Sequence, residues 1–188
     1  LADESISLID ICLPPHLHFP VALQAHAAGK DVICEKPLVR SLEEANALLL
    51  SVKNTGRQVF PVFQYRFGHA MRQLRALIDA GLAGKAFVAS SEVHWNRGAD
   101  YFSIPWRGTW KGECGGATLG HAIHAHDLIC HVLGPVEEVF AFADTRVNTI
   151  ETEDCAAISL RMKSGALVTS SVTLGAGNDT SRLRFCFE

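Results

Sequence analysis

Val32-Ile33-Cys34-Glu35-Lys36-Pro37-Leu38 is the stretch from which the rest of the chain is best read. Val32 to Cys34 is a short apolar run of strand length, and Pro37, which has no backbone N–H to give to a ladder, ends it. Upstream, Ser5–Leu13 alternates and then runs apolar, with β-branched Ile6, Ile9 and Ile11, and stops at Pro14-Pro15. That pattern predicts a strand followed by a loop. Between the two, Phe19–Ala28 places Val21, Ala22, Ala25 and Ala28 on one helical face, with Gly29 as its stop. Strand, helix and strand within roughly thirty residues form a βαβ unit, so Ser5–Leu13 and Asp31–Glu35 are expected to run parallel. Ser41-Leu42-Glu43-Glu44 then reads as a capping box, Ser41 accepting from the Glu44 amide while Glu44 reaches back. Ala45, Leu48, Leu49 and Val52 form the apolar stripe of the helix that follows, and Gly56 closes it. Gln58–Phe63 is a third strand. Three strands with two crossover helices make half of a Rossmann-type parallel sheet.

Glu35 and Lys36 put a carboxylate and an ammonium at the end of a strand, where open α/β sheets bind ligands. A lysine there can carry a proton to or from a substrate hydroxyl if burial or a neighbouring charge lowers its pKa. A solvated Glu-Lys pair leaving a strand is the plainer alternative, and these residues alone leave both open.

From Arg66 the pattern changes. Met71, Leu74, Leu77 and Ile78 mark a helix ending near Gly81, and Ala86–Trp95 alternates as a strand of an antiparallel sheet. Asn96–Gly116 is a long loop of the kind that is usually functional or mobile. Thr118–Leu133 reads as one helix stopped by Gly134-Pro135. Val136–Val147, Cys155–Met162 and Ala166–Leu174 follow as strands, and Arg184–Glu188 looks like another in progress. The fold class is therefore α/β then α+β. Residues 1–66 are the C-terminal part of a dinucleotide-binding domain, and residues 67–188 are an α+β domain with an open, mainly antiparallel sheet and helices on one face. No glycine-rich phosphate loop occurs: Gly115-Gly116 lacks both the third glycine and a preceding strand. The chain starts at Leu1 and stops inside a strand pattern, so it is expected to be a piece of a longer protein.

A formal net charge of −3 argues against a nucleic-acid partner, which would need a basic face. No apolar run is long enough to span a bilayer. The six cysteines include no C-x-x-C pair. They fit small buried hydrophobes in a reducing, cytoplasmic setting better than a disulfide framework.

The densest polar cluster is His121-Ala122-Ile123-His124-Ala125-His126-Asp127. On a continuous helix His121, His124 and Asp127 share one face, with His131 a turn further on, and His126 points elsewhere. Such histidines suit acid/base chemistry near neutrality. Imidazoles with a carboxylate could also hold zinc, but no further ligand set with zinc spacing is present, so no metal is expected. A hydrogen-bonded polar network is the third alternative.

These residues together carry a resemblance. Pro14-Pro15-His16-Leu17-His18, Gly29-Lys30, Val32–Leu38, Ser41–Ala45, Gln64-Tyr65-Arg66-Phe67, and Gly115–Leu119 leading to His124 and Asp127-Leu128 resemble, in order, the glucose–fructose oxidoreductase/inositol dehydrogenase/MocA family of NAD(P)-dependent dehydrogenases. The resemblance implies a dinucleotide domain followed by a substrate-carrying sheet domain that often packs in homo-oligomers. It implies hydride transfer between NAD or NADP and a hydroxyl-bearing carbon of a sugar or cyclitol. Lys36 and His124 become the catalytic proton-transfer residues, with His121 and Asp127 as support. Pro14, His18, Glu35, Lys36, Arg66, Trp106 and Arg107 are expected at the cofactor, and Lys36, His94 and His124 at the substrate.

Three departures stand out. Gly120 replaces the aspartate that usually precedes the histidine, and His121 is the candidate substitute. Pro15 stands where asparagine is common. The glycine-rich loop that supplies the pyrophosphate site is missing, and with it the residue at the ribose 2′ position that would distinguish NAD from NADP. Gly120 keeps alive a catalytically impaired, ligand-binding or assembly role, and the histidine cluster a weaker metal-dependent hydrolase reading.

Overall fold

A computed structural model describes residues 1–188, which fall into two compact units: residues 1–62 with 105–115, and residues 63–104 with 116–188. The expected boundary at 66/67 differs on two counts. The turn Gln64–Phe67 belongs with the second unit, and part of the expected long loop returns to the first. A change of periodicity marks where a pattern starts but cannot show where a loop comes back to pack.

The first unit has β1 (Leu8–Ile11), α1 (His18–Ala27), β2 (Asp31–Cys34), α2 (Leu42–Thr55) and β3 (Val59–Pro61). The strands are parallel in the order β1-β2-β3, with Ile9 opposite Val32 and Val32 opposite Val59. Ile11, Val32 and Cys34 from the strands meet Ala22 and Ala25 of α1 and Leu48 of α2 in the core. Ser41 caps α2 by accepting the Glu44 N–H at 3.2 Å. The Glu44 carboxylate reaches back one residue further than a capping box requires, accepting the Arg40 N–H at 3.1 Å. Gly56 ends α2 in the left-handed region, at φ +68°. Residues 105–115 are held here by the His16 N–H, which donates to the Gly112 carbonyl at 3.3 Å.

The second unit contains α3 (His69–Asp79), β4 (Ala86–Asn96), α4 (Ala99–Phe102), α5 (Ala117–Gly120), α6 (Ile123–Leu133), β5 (Val136–Asp144), β6 (Cys155–Met162), β7 (Leu167–Thr173) and β8 (Gly175–Phe187). Its sheet has the order β5-β6-β7-β4-β8. All neighbours are antiparallel except β4 and β7, which run parallel. The expected strand Ala86–Trp95 is thus antiparallel only towards β8, because the long connection to β7 lets the chain return in the same direction. The strand β8 is far longer than the few residues expected. Its polar first half is an exposed edge and carries no apolar alternation.

Helices α5 and α6 cover one face of this sheet. Ile129 and Leu133 pack on Ala89, Met162 and Val168, while Ala117 and Ala122 pack with Val93, Val172 and Leu174. The single helix expected over Thr118–Leu133 is broken. His121 leaves helical geometry at φ −120°, ψ −54°, and the Ala122 N–H closes on the Ala117 carbonyl five residues back. Gly120, a poor helix former, sits at the break. The cysteines are unpaired, but only Cys34 is buried, and Cys12 and Cys130 are exposed. Most are therefore not the buried hydrophobes expected.

The loop between β5 and β6 closes on the buried Asp154 carboxylate, which accepts the N–H groups of Arg146, Val147 and Asn148 at 2.7, 3.0 and 2.7 Å. Burial works to raise this carboxyl, yet those donors hold it below its ordinary 3.8. A carboxyl so lowered contributes stability that is present above its ordinary value and lost as pH falls through the folded-state value. Asp154→Ala should lower the unfolding free energy at neutral pH by about 2–4 kcal/mol by stranding these donors. Urea unfolding checks this, and an unchanged midpoint would contradict it.

Candidate active site

In the first unit, the end of β2 presents Glu35 and Lys36. The Glu35 N–H donates to the Ile11 carbonyl at 3.0 Å, and the Lys36 N–H donates to the Glu35 carboxylate at 3.2 Å. Lys36 is partly buried. That burial lowers its pKa, Glu35 and Glu113 oppose the shift, Arg107 adds to it, and the net result lies below the ordinary 10.5. Glu113 is itself buried and accepts the Gly108 N–H at 2.5 Å. The Arg107 guanidinium lies 4.5 Å from the centre of the Trp106 ring. A carboxylate, an ammonium and a guanidinium are thus gathered at a strand end, where an amine of lowered pKa can exchange a proton.

The His18 ring is buried, with Nδ1 2.8 Å from the Pro37 carbonyl and Nε2 2.6 Å from the Leu13 carbonyl. The ring therefore bridges the turns after β1 and β2. Pro14 lies beside it and opens the 3-10 turn Pro15–Leu17.

In the second unit, His124 occupies the first turn of α6 and is 4 % exposed. The Tyr65 ring stacks on it at 4.4 Å and 19°, and Phe63 meets it edge-on at 6.3 Å and 88°. His121, at the helix break, has Nε2 3.0 Å from the Tyr101 hydroxyl and Trp95 edge-on at 5.6 Å. Tyr65, Trp95, His121, His124, Leu128 and Leu183 line a cavity of about 180 Å³. The start of α5 is capped from outside the helix. The Glu153 carboxylate accepts the N–H groups of Gly116 and Thr118 at 3.1 and 3.0 Å.

Asp127 forms a two-pronged ion pair with Arg66, whose Nε donates to Oδ2 at 2.7 Å and whose terminal NH2 donates to Oδ1. Arg66 is thereby tied to α6. His94 is not among the side chains lining the His124 cavity. Val93 faces the helices, whereas His94 points to the opposite face and lies 2.8 Å from the Ser171 hydroxyl. His121 and His124 both line the cavity, although not as neighbours on one helix face. Among the described residues, no three His, Cys, Asp or Glu side chains come together to hold a metal ion. Tyr65, Tyr101, Glu113 and Glu153 were not foreseen. Tyr65 alone lay inside a quoted motif, and the other three carry no local signal.

A parallel dinucleotide-type sheet followed by an open sheet with helices on one face defines a two-part architecture. The family model described as "Oxidoreductase family, NAD-binding Rossmann fold" matches residues 1–63, and the one described as "GFO/IDH/MocA C-terminal domain" matches residues 71–188. The chain belongs to the glucose–fructose oxidoreductase/inositol dehydrogenase/MocA family.

Levoglucosan dehydrogenase of Pseudarthrobacter phenanthrenivorans is 33% identical over 145 residues, which is 76% of this chain and 37% of that protein. Myo-inositol 2-dehydrogenase of Thermotoga maritima is 28% identical over 174 residues, 89% of this chain and 49% of that protein. The solved structure of the WlbA dehydrogenase from Bordetella pertussis, in complex with NADH and UDP-GlcNAcA, superposes with a TM-score of 0.94 at 28% identity, covering 100% of this chain and 55% of that one. The chain spans about half the length of the relatives it matches, or somewhat less.

A Cβ on Gly116 would lie 2.0 Å from the Glu153 carbonyl oxygen. Gly116→Ala should therefore force the Glu153 cap away from α5 and lower the melting temperature by several degrees, roughly what 1–3 kcal/mol of overpacking costs. An unchanged melting curve would show that this close approach does not hold the start of α5.

Proposed function

We propose that the protein carrying this chain is an NAD(P)-dependent oxidoreductase that moves a hydride between nicotinamide and a secondary alcohol or ketone carbon of a sugar, cyclitol or related polyol. The observation that carries this reading is the partly buried Lys36 amine, set at a strand end among Glu35, Glu113 and Arg107, in a chain of this family. The dehydrogenase names of the relatives and their NADH complexes support it. Bound at the strand ends, the dinucleotide supplies the two-electron acceptor or donor. Glu35, Lys36, Pro14, Trp106 and Arg107 suit its nicotinamide end in charge and ring character, while a glycine-rich turn for the pyrophosphate has no counterpart in residues 1–188.

Oxidation of a carbinol removes a hydride and a proton. In this reading the neutral Lys36 amine takes the hydroxyl proton. The buried imidazole of His124 is the second acid/base group, and its aromatic-lined cavity suits the apolar face of a sugar ring. The protein works as a homo-oligomer through the open face of the second-unit sheet, where Phe140 and Phe142 are 66% and 71% exposed. It works in the cytoplasm, a compartment that suits its six unpaired cysteines. Gly120, which brings no side chain to His124, favours one alternative: a family member that binds ligand without turnover.

Lys36→Met should cut turnover by a factor of about 100 or more while cofactor binding persists. The pH profile carries a sharper test. Turnover in the oxidation direction should rise through a Lys36 value below 10.5. Glu113→Gln removes a charge that favours the ammonium and should shift this limb to lower pH. Arg107→Met removes one that disfavours it and should shift the limb to higher pH. Full activity in Lys36→Met, or profiles that do not move, would overturn the assignment.

A further inference from the structure

We infer that Tyr65, anchored by the ion pair of Arg66 with Asp127, is the positioning residue for the His124 imidazole. This rests on the acid/base role proposed for His124. The only acidic side chain on α6 is Asp127, and it is engaged by Arg66. Gly120, one turn before His124, has no side chain to offer. What lies against the imidazole instead is the Tyr65 ring, stacked at 4.4 Å and 19°.

Tyr65 sits in the 3-10 turn Gln64–Phe67. That turn is closed on itself by little more than the Arg66 N–H donating to the Phe63 carbonyl at 3.1 Å and the Gly68 N–H donating to the Tyr65 carbonyl at 3.2 Å. So short a turn fixes no ring by itself. Arg66, the next residue, supplies the anchor. A guanidinium forked onto a carboxylate defines distance and orientation together. Asp127 is three residues beyond His124 and so lies on the same face of α6. The fork therefore docks the turn on the helix one turn from the imidazole and lays the Tyr65 ring on its face. Phe63 closes the edge at 6.3 Å and 88°, and the Arg66 guanidinium in turn lies 5.4 Å from the centre of the Phe63 ring. A stack and an edge contact thus bear on the imidazole plane. Because Tyr65 is 41% exposed, truncating it leaves the buried core intact.

The test compares Tyr65→Ala, Tyr65→Phe and Asp127→Asn in the active protein, with kcat and KM measured separately and the His124 ring protons followed by NMR. Tyr65→Ala should lower kcat about 10- to 100-fold with KM little changed, the scale on which a misplaced catalytic group loses rate. Tyr65→Phe keeps the stack and should stay within about threefold of the parent on that scale. Asp127→Asn should approach Tyr65→Ala, and the double variant should be no worse, because the two act as one unit. The upfield ring-current shift of the His124 protons should vanish in Tyr65→Ala and persist in Tyr65→Phe.

Unchanged kcat and His124 shifts in Tyr65→Ala would overturn the inference. So would an equal loss in Tyr65→Phe, which would make the hydroxyl a substrate contact. A parent protein without hydride transfer would fail the function proposal itself, whereas the NMR comparison would still decide whether fork and stack order His124.

Discussion

An ammonium withdrawn from water must be compensated by nearby charge or give up its proton, and the first unit is arranged around that constraint at Lys36. The strand β2 ends at Cys34, so Lys36 leaves the ladder just where the sheet stops covering it. Residues 105–115 belong to this unit and bring Glu113 and Arg107 into the field of the amine, with opposite effects. His18 ties the flanking turns to one another through the Leu13 and Pro37 carbonyls. The outcome is an amine whose affinity for its proton is lowered by burial and adjusted by the charges of Glu35, Glu113 and Arg107, which suits proton exchange with an alcohol.

The second unit meets an analogous demand with different means. Its buried imidazole is ordered by aromatic faces and a forked ion pair, on a helix that starts late because the chain breaks at His121. Glu153 caps the start of α5, and it is reached only because Gly116 has no Cβ to block it. Strand alternation does the remaining sorting: Val93 joins the helix-covered face, and His94 is turned away to Ser171.

Much of this was legible from the residues. Period-two and helical patterning located every strand of the first sheet and β4 to β7 of the second. The strand-end Glu-Lys-Pro and the histidine helix together pointed to the family. What was hidden had physical causes. A parallel partner for β4 depends on where a distant strand returns, which no local pattern encodes. The helix break depends on a single glycine and a five-residue hydrogen bond. Arg66 and His18 were picked out by the resemblance alone, because neither the Arg66–Asp127 pair nor the two carbonyls beside the His18 ring leaves a local sequence signal. Glu113 and Tyr65 matter through spatial neighbours alone.

The central claim is that a carbinol hydrogen leaves as hydride to nicotinamide while Lys36 handles the hydroxyl proton. The most direct measurement incubates the protein with oxidised nicotinamide dinucleotide and a panel of sugars and cyclitols deuterated at their carbinol carbons, then locates the label by NMR. Deuterium at nicotinamide C4, formed by the parent protein and suppressed in Lys36→Met, is the predicted result. Deuterium retained on every substrate, or released to solvent without reaching the nicotinamide, would contradict it.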